Sequence, residues 1–251
     1  MIRITYIIIF LLSVTINAQN NAIGLNEKLT YTASYNMSGI LTDLAQVTME
    51  TDAVKTSKAT LLRLKCTAFT YSKWDNFFKI RDLYETYVNP KTLTPYLHNR
   101  DINEGGYYKN MKYTFSHKTK TVKSVLKKKN NWVQNKTVSI GAGTKDIIST
   151  LYSIRTFDLT NLSPGTNKTF TILFDREEVK AKVTYLGKET ISTALGSKLC
   201  YKIALGSVTS NTVNGTLWFT ADENKIPVYG KFKIPVGSGE LRIKSASGLK
   251  N

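Results

Sequence analysis

Apolar side chains in this chain recur at every second position from Leu29 to Ile243, and a two-residue repeat is the pleat of a β-strand. Leu29, Tyr31, Ala33, Tyr35 and Met37 alternate with Thr30, Thr32, Ser34 and Asn36, and Ala45, Val47 and Met49 continue the pattern beyond a Ser38-Gly39 turn. Leu62, Leu64, Cys66 and Ala68 follow, then Tyr107, Met111, Tyr113 and Phe115, then Phe170, Ile172 and Phe174. Asp175-Arg176-Glu177 reads as a hairpin turn into Val179, Ala181, Val183 and Tyr185. Leu199, Tyr201, Ile203 and Leu205, then Leu217 and Phe219, then Val228, Phe232 and Ile234, and finally Leu241 and Ile243 complete the series. Each strand has one oily face and one polar face. The chain therefore predicts about a dozen strands joined by short turns in an antiparallel meander.

One segment breaks the period. Ile147, Ile148, Leu151, Tyr152 and Ile154 fall at three- and four-residue steps, with Thr144 placed as N-cap, Asp146 in the first turn and Arg155 in the last. The spacing predicts a single helix of three to four turns over 144–157. A helix this apolar must be covered, and a curved sheet is the partner the chain offers. The expected fold is all-β: a mainly antiparallel meander curled into a strongly curved, partly open β-barrel, with one amphipathic helix on the concave side.

Ahead of the repeat, Arg3 precedes an apolar run from Ile4 to Ile16 broken by Thr5, Ser13 and Thr15. That is the pattern of a secretory signal peptide, and the run is shorter than the roughly 20 residues a membrane-spanning helix needs. We expect residues 1–18 to be removed after Ala18, leaving 19–251 as a single β-rich domain, soluble and either periplasmic or secreted. No cysteine follows the cut to carry a lipid, and no Pro- or Ser-rich linker divides the remainder.

Export changes the meaning of the formal charge of +17. Nucleic acid is not the expected partner, because the lysines are spread over nearly every segment. The one run, Lys127-Lys128-Lys129, adjoins Asn130-Asn131 and reads as a solvated turn. Much of the excess sits on the outward pleat, where it discourages edge-to-edge pairing. The electrostatic partners that fit an exported cation are an anionic membrane surface, an acidic glycolipid or another envelope protein. Export also invites a disulfide between Cys66 and Cys200, but strand parity argues against it. Cys66 is in step with the apolar Leu62 and Leu64, whereas Cys200 is in step with Lys202.

Chemistry is sparse. His98 and His117 lie in different segments, neither at metal-ligand spacing, and the chain has no glycine-rich phosphate loop and no nucleophile elbow. No metal and no cofactor are expected. A triad built from distant residues would have to use one of those two histidines, which makes a hydrolase the third reading. Glu104, before Gly105-Gly106, is either a ligand contact or a loop carboxylate paired with Arg81, Arg100 or Arg155. Asp222-Glu223-Asn224-Lys225 reads as a turn in which the aspartate bonds its own backbone.

Several short stretches gain weight from their order and spacing. They are Asn26-Glu27-Lys28-Leu29-Thr30-Tyr31, Glu104-Gly105-Gly106-Tyr107, Asp146-Ile147-Ile148-Ser149 running into Tyr152-Ser153-Ile154-Arg155, Gly187-Lys188-Glu189-Thr190-Ile191, and Trp218-Phe219-Thr220-Ala221-Asp222 with Lys225-Ile226-Pro227-Val228. In these the chain resembles the bacterial envelope proteins of domain-of-unknown-function family 3108, from about Leu25 to Ser245, departing at Lys225 where an arginine is expected. The resemblance implies a secreted or periplasmic β protein with no assigned catalytic residues, so it carries a fold and no site. The expected architecture is also similar to that of the Lol-type lipoprotein carriers, an analogy from which function does not follow. The leading expectation is an exported, non-catalytic binding protein of the cell envelope that takes a lipid or other apolar ligand in a half-open barrel. Tyr35, Glu104, Leu151, Tyr152, Arg155 and Trp218 are the candidate contacts. The rival is a structural or protein-interaction component with a filled barrel.

Overall fold

A computed structural model describes residues 20, 22–37, 39–209, 212–233 and 237–251. The expected signal peptide, Ser38 and Ile234 lie outside the described residues. Fourteen strands, rather than about a dozen, form one sheet among those described. They are β1 (Lys28–Met37), β2 (Ile40–Lys55), β3 (Thr60–Thr70), β4 (Arg81–Val88), β5 (Pro95–Glu104), β6 (Tyr107–Ser116), β7 (Thr121–Lys128), β8 (Val133–Ser139), β9 (Asn167–Phe174), β10 (Glu177–Thr193), β11 (Gly196–Ser207), β12 (Val213–Thr220), β13 (Pro227–Lys233) and β14 (Ser238–Ser247). The order across the sheet is β8-β7-β6-β5-β4-β3-β2-β1-β14-β13-β12-β11-β10-β9. Every neighbouring pair is antiparallel, so two meanders are welded where β1 pairs with β14. The sheet is not closed, and its edges are β8 and β9.

Curvature comes from broken register. Register shifts that leave one extra residue, Leu44 in β2, Leu186 in β10, Asn214 in β12, Val228 in β13 and Lys244 in β14, bend the strands and tighten their twist. The sheet thereby wraps α1 (Ile147–Arg155), the one α-helix among the described residues, which connects the two edges and touches β3, β4 and β9.

The core follows the period-two pattern. Leu29, Tyr31, Met49, Leu62 and Leu64 enclose Ile148 and Tyr152 of α1, and Ile154 enters a second group with Tyr185, Tyr201, Ile203, Leu217 and Phe219. A third group joins Met111, Tyr113, Phe115 and Val122 of β6 and β7 to Leu173 of β9. Edge strand β9 is therefore rolled in against the far wing of its own sheet, without pairing to it. The β9–β10 turn anchors it there. Arg176 donates from Nε to Ser124 Oγ at 2.8 Å, from Nη2 to the Gln134 carbonyl at 2.6 Å and from its backbone N–H to Tyr113 Oη at 2.9 Å. Asp175 accepts from Lys109 Nζ at 2.7 Å and also pairs with Arg100. Both turn residues have positive φ, 48° and 73°, as a tight two-residue hairpin requires.

Three expectations are corrected. The helix is nine residues long, not three to four turns over 144–157, and its N-cap is Asp146 rather than Thr144. Asp146 Oδ1 accepts from the backbone N–H of Ile148 and Ser149 at 2.9 and 3.0 Å, while the Thr144 hydroxyl donates to Glu178 instead. In β9 the buried residue is Leu173, and Phe174 lies exposed beneath the Arg100 guanidinium, because this edge faces β6 and β7. In β11 Leu199 is exposed and Cys200 is buried in the same apolar group that Cys66 flanks. The nominal outer face of β11 is covered at that end by its own hairpin. Both cysteines are free thiols.

Candidate functional site

Polar groups are gathered in two places inside the wrapped sheet. At the C-terminal end of α1, Arg155 donates from Nη1 and Nη2 to the two carboxylate oxygens of Glu27, at 2.6 and 2.7 Å. Its remaining donors reach the Asn224 carbonyl at 3.1 and 2.9 Å and the Ala22 carbonyl at 3.1 Å. Both side chains are shut away from solvent, 1% and 0% exposed. The pair ties the N-terminal segment, the helix and the β12–β13 turn to one point. Tyr31 and Tyr152 stand beside it with buried hydroxyls that have no hydrogen-bond partner among the described residues. Burial raises both phenols, so they stay protonated.

The other end of α1 holds the second gathering. Thr86 Oγ1 of β4 donates to Asp146 Oδ1 at 2.8 Å, and Ser149 Oγ donates to Oδ2 at 2.7 Å. His98 Nδ1 of β5 lies 2.8 Å from Thr86 Oγ1. Since the threonine gives its proton to Asp146, Nδ1 is the donor of that bond. Burial lowers the His98 pKa, Arg100 lowers it further and Asp146 opposes them, so the imidazole is neutral at pH 7. Lys145 donates from Nζ to the Leu93 carbonyl at 2.6 Å, and burial brings it down to about 8. A third acid stands apart: burial pushes Asp82 up to about 7, against the pull of the Asn103 N–H and with help from Glu104. Burial also pushes Cys66 up to about 12 and Cys200 to about 11, so neither thiol is a nucleophile at neutral pH.

On the outside of the sheet, the tip of the β10–β11 hairpin folds back until β10 touches β14, four strands away. Beneath it lies a groove of about 470 Å³, walled by Ile191 and Ala194 of the hairpin on one side and by Val228, Tyr229 and Ile243 of the sheet on the other. Tyr229 packs against Trp218 with ring centroids 4.9 Å apart and planes tilted by 40°, and Trp218 Nε1 donates to Glu189 of the overhanging hairpin. Glu240, Arg242 and Lys244 bring charge to the wall. Glu240 is paired with Lys231 and Arg242 with Asp43, while Lys244 has no ion-pair partner among the described residues.

The family model of DUF3108, described as a protein of unknown function, matches residues 30–244. The chain belongs to DUF3108. No curated protein matches this DUF3108 chain. In three dimensions it is similar to a β-barrel-like protein of domain of unknown function DUF1849 from Brucella abortus, with a TM-score of 0.57 at 9% identity, over 90% of this chain and 99% of that one. That likeness shows a shared fold. A Bacteroides fragilis protein with a YmcC-like fold aligns over 90% of this chain and 99% of its own at 10% identity, with a TM-score of 0.33.

Of the six candidate contacts, the DUF3108 fold brings together Leu151, Tyr152 and Arg155 on α1; Tyr152 and Arg155 are fully buried and the arginine is committed to Glu27. Trp218 is the one tied to the outer groove, through Tyr229. Tyr35 sits far along β1, opposite Gly239 of β14. Glu104 ends β5 beside Asp82, whereas Arg81, Arg100 and Arg155 take Asp75, Asp175 and Glu27 as partners. The expected arginine partner for Glu104 is therefore replaced by a second carboxyl. Glu27, Asp146, Thr86 and His98 were not singled out from the sequence as a set. A signal existed for each strand: Glu27 is in phase with Leu29 and Tyr31, and His98 and Arg100 are in phase with Ile102, so all three are polar residues on an inward pleat.

Proposed function

We propose that this chain is an exported, non-catalytic binding protein that works with its outer surface, and that an amphipathic anion of the fatty-acid type occupies the groove under the β10–β11 hairpin. The observation that carries this reading is the Trp218–Tyr229 pair. Aromatic side chains on a solvent-side pleat are sheltered by an overhanging hairpin, leaving a mostly apolar slot next to Lys244, which has no ion-pair partner among the described residues. A slot of about 470 Å³ suits a small ligand, for which pockets of roughly 300–1,000 Å³ are usual. The concave side favours the outside too, because α1 fills it with all its residues buried except Ile147 and Leu151. Burial of His98 and Asp146 supports a non-catalytic role: the pair braces the helix, and solvent does not reach it.

Native mass spectrometry of protein purified from its own cell envelope should show an apolar anionic adduct, and a fluorescent fatty acid should be displaced by it. Ala194→Trp, which fills the slot from an exposed turn, should weaken that binding about tenfold without lowering thermal stability. No adduct and no fatty-acid uptake would leave the rival reading, a structural or protein-contact component of the envelope.

A further inference from the structure

The two ends of the sheet differ in kind. At one end the β3–β4 loop, the β5–β6 turn and the β7–β8 turn touch one another in a ridge. Phe78 lies so close over Gly105 that a Cβ there would meet its ring at 2.6 Å, and Lys129 Nζ stands 3.8 Å from the Cβ position of Gly106. Trp74 donates from Nε1 to the Asp43 carbonyl at 2.8 Å, which joins the ridge to the start of β2 and its Ile40. Along it Ile40, Phe77, Phe78, Tyr107 and Trp132 are exposed, with Phe77 at 81% and Ile40 at 71%. The opposite turns, 56–59, 89–94 and 117–120, present no exposed large apolar side chain. Beside those turns Tyr96, edge-on to His117, is 41% exposed and Leu25, near Pro90, is 59% exposed, but the four exposed aromatic rings Phe77, Phe78, Tyr107 and Trp132 cluster at the ridge, and a monomer gains nothing from holding such a cluster in water.

Charge identifies what covers them. Lys73, Lys79, Lys127, Lys128 and Lys129 flank the rings, against Asp43, Asp75 and Glu104, and Asp43 and Asp75 are already paired with Arg242 and Arg81. Aromatic rings at headgroup depth with lysines around them are the chemistry of a membrane–water interface bearing anionic lipid. We infer that this ridge docks the protein, end-on, onto an anionic bilayer surface, with Phe77 and Trp132 entering the headgroup layer and the Lys127–Lys129 run held by lipid charge. The docking is independent of the groove ligand, which is walled by different strands.

The test uses protein exported and purified from the envelope, mixed with vesicles of phosphatidylcholine alone or with added phosphatidylglycerol. Wild type should pellet with the anionic vesicles, less so as salt rises, and brominated lipid should quench Trp132. Phe77→Ser, and Lys128→Glu with Lys129→Glu, should each weaken binding at least about tenfold with unchanged melting temperatures. Lys91→Glu with Lys118→Glu, which makes the same charge change at the other end, should leave binding within about twofold. Ala194→Trp should dock normally, so failure of the groove reading is separable. Failure to pellet, equal loss from both charge pairs, or a stable protein complex formed through the ridge in place of vesicle binding would overturn the inference.

Discussion

Replacing Arg155 by Met keeps most of the aliphatic stem and removes the guanidinium. The loss is large because the Glu27 carboxylate accepts hydrogen bonds from Arg155 at 2.6 and 2.7 Å and from no other group among the described residues. Breaking a buried pair from one side leaves an uncompensated charge, at about 3–5 kcal/mol. The Asn224 and Ala22 carbonyls also lose donors, which puts Arg155→Met near the top of that range. Against a native stability of roughly 5–15 kcal/mol, the melting temperature should fall by about 10 °C or more. Urea unfolding followed by tryptophan fluorescence gives the free energy. Adding Glu27→Leu removes the stranded carboxylate, and a hydrophobic replacement of both partners should recover at least half of the loss. The pH dependence is a separate check. A carboxyl left alone in this core has a raised folded-state pKa, so its contribution is present at low pH and lost as pH rises; the Arg155→Met deficit should be smaller at pH 4 than at pH 8. A cost under about 1 kcal/mol, or a double variant as unstable as the single, would show that the pair does not bear on stability in this way.

Asp82 sits at about 7 instead of 3.8, so the folded chain prefers its protonated form; the associated stability is complete below the ordinary value and lost as pH rises through 7. Asp82→Asn, which can still accept from Asn103, should therefore stabilise by about 1–3 kcal/mol at pH 8 and by nearly nothing at pH 4, and equal effects at both would contradict the assignment. Cys66 and Cys200 should resist a thiol reagent at pH 8 in the native state and titrate as two free thiols in urea; finding none in urea would mean a disulfide. Arg176→Ala should speed amide exchange through β6–β8 while β1–β4 and β14 stay protected, and uniform protection loss would refute a local anchor.

The meander was readable because residues two apart share a burial state wherever a strand has one wet face, as in Leu29 and Tyr31 or Leu62 and Leu64. It misled where a strand is covered from both sides. Cys200, Trp218 and Thr220 occupy the nominal outer pleat and are buried all the same, the first two in a group flanked by Ile191 and Leu195 of the folded-back hairpin and Thr220 under the β12–β13 turn through Asp222 and Ile226. Helix bounds failed because the Thr144 hydroxyl is drawn to Glu178, 34 residues on, which leaves the cap to Asp146 and its bonds to the Ile148 and Ser149 N–H, and Thr86 then holds Asp146 from 60 residues earlier. Glu27 could be placed on an inward pleat from its phase, but its partner lies 128 residues on. Long-range pairing, not propensity, decided each of these.

An unclosed sheet of fourteen strands has two edges that could template further strands, and the chain treats them by different means. At β9 the backbone of Lys145 pairs in parallel, donating to the Thr171 carbonyl at 3.0 Å and accepting from the Leu173 N–H at 2.8 Å, one residue before Asp146 starts the helix. The same short segment thus blocks an edge and launches α1. At β8 the strand is only seven residues long and the Gln134 carbonyl is taken by Arg176. The guanidinium comes from the turn next to the other edge. The two edges are therefore tethered by side chains across an open seam, and the sheet can curl around α1 without the fixed stagger that a continuous ladder of hydrogen bonds would impose. That freedom lets Leu173 fill the β6–β7 wing while Ile154 fills the β10–β12 wing, each at its own spacing.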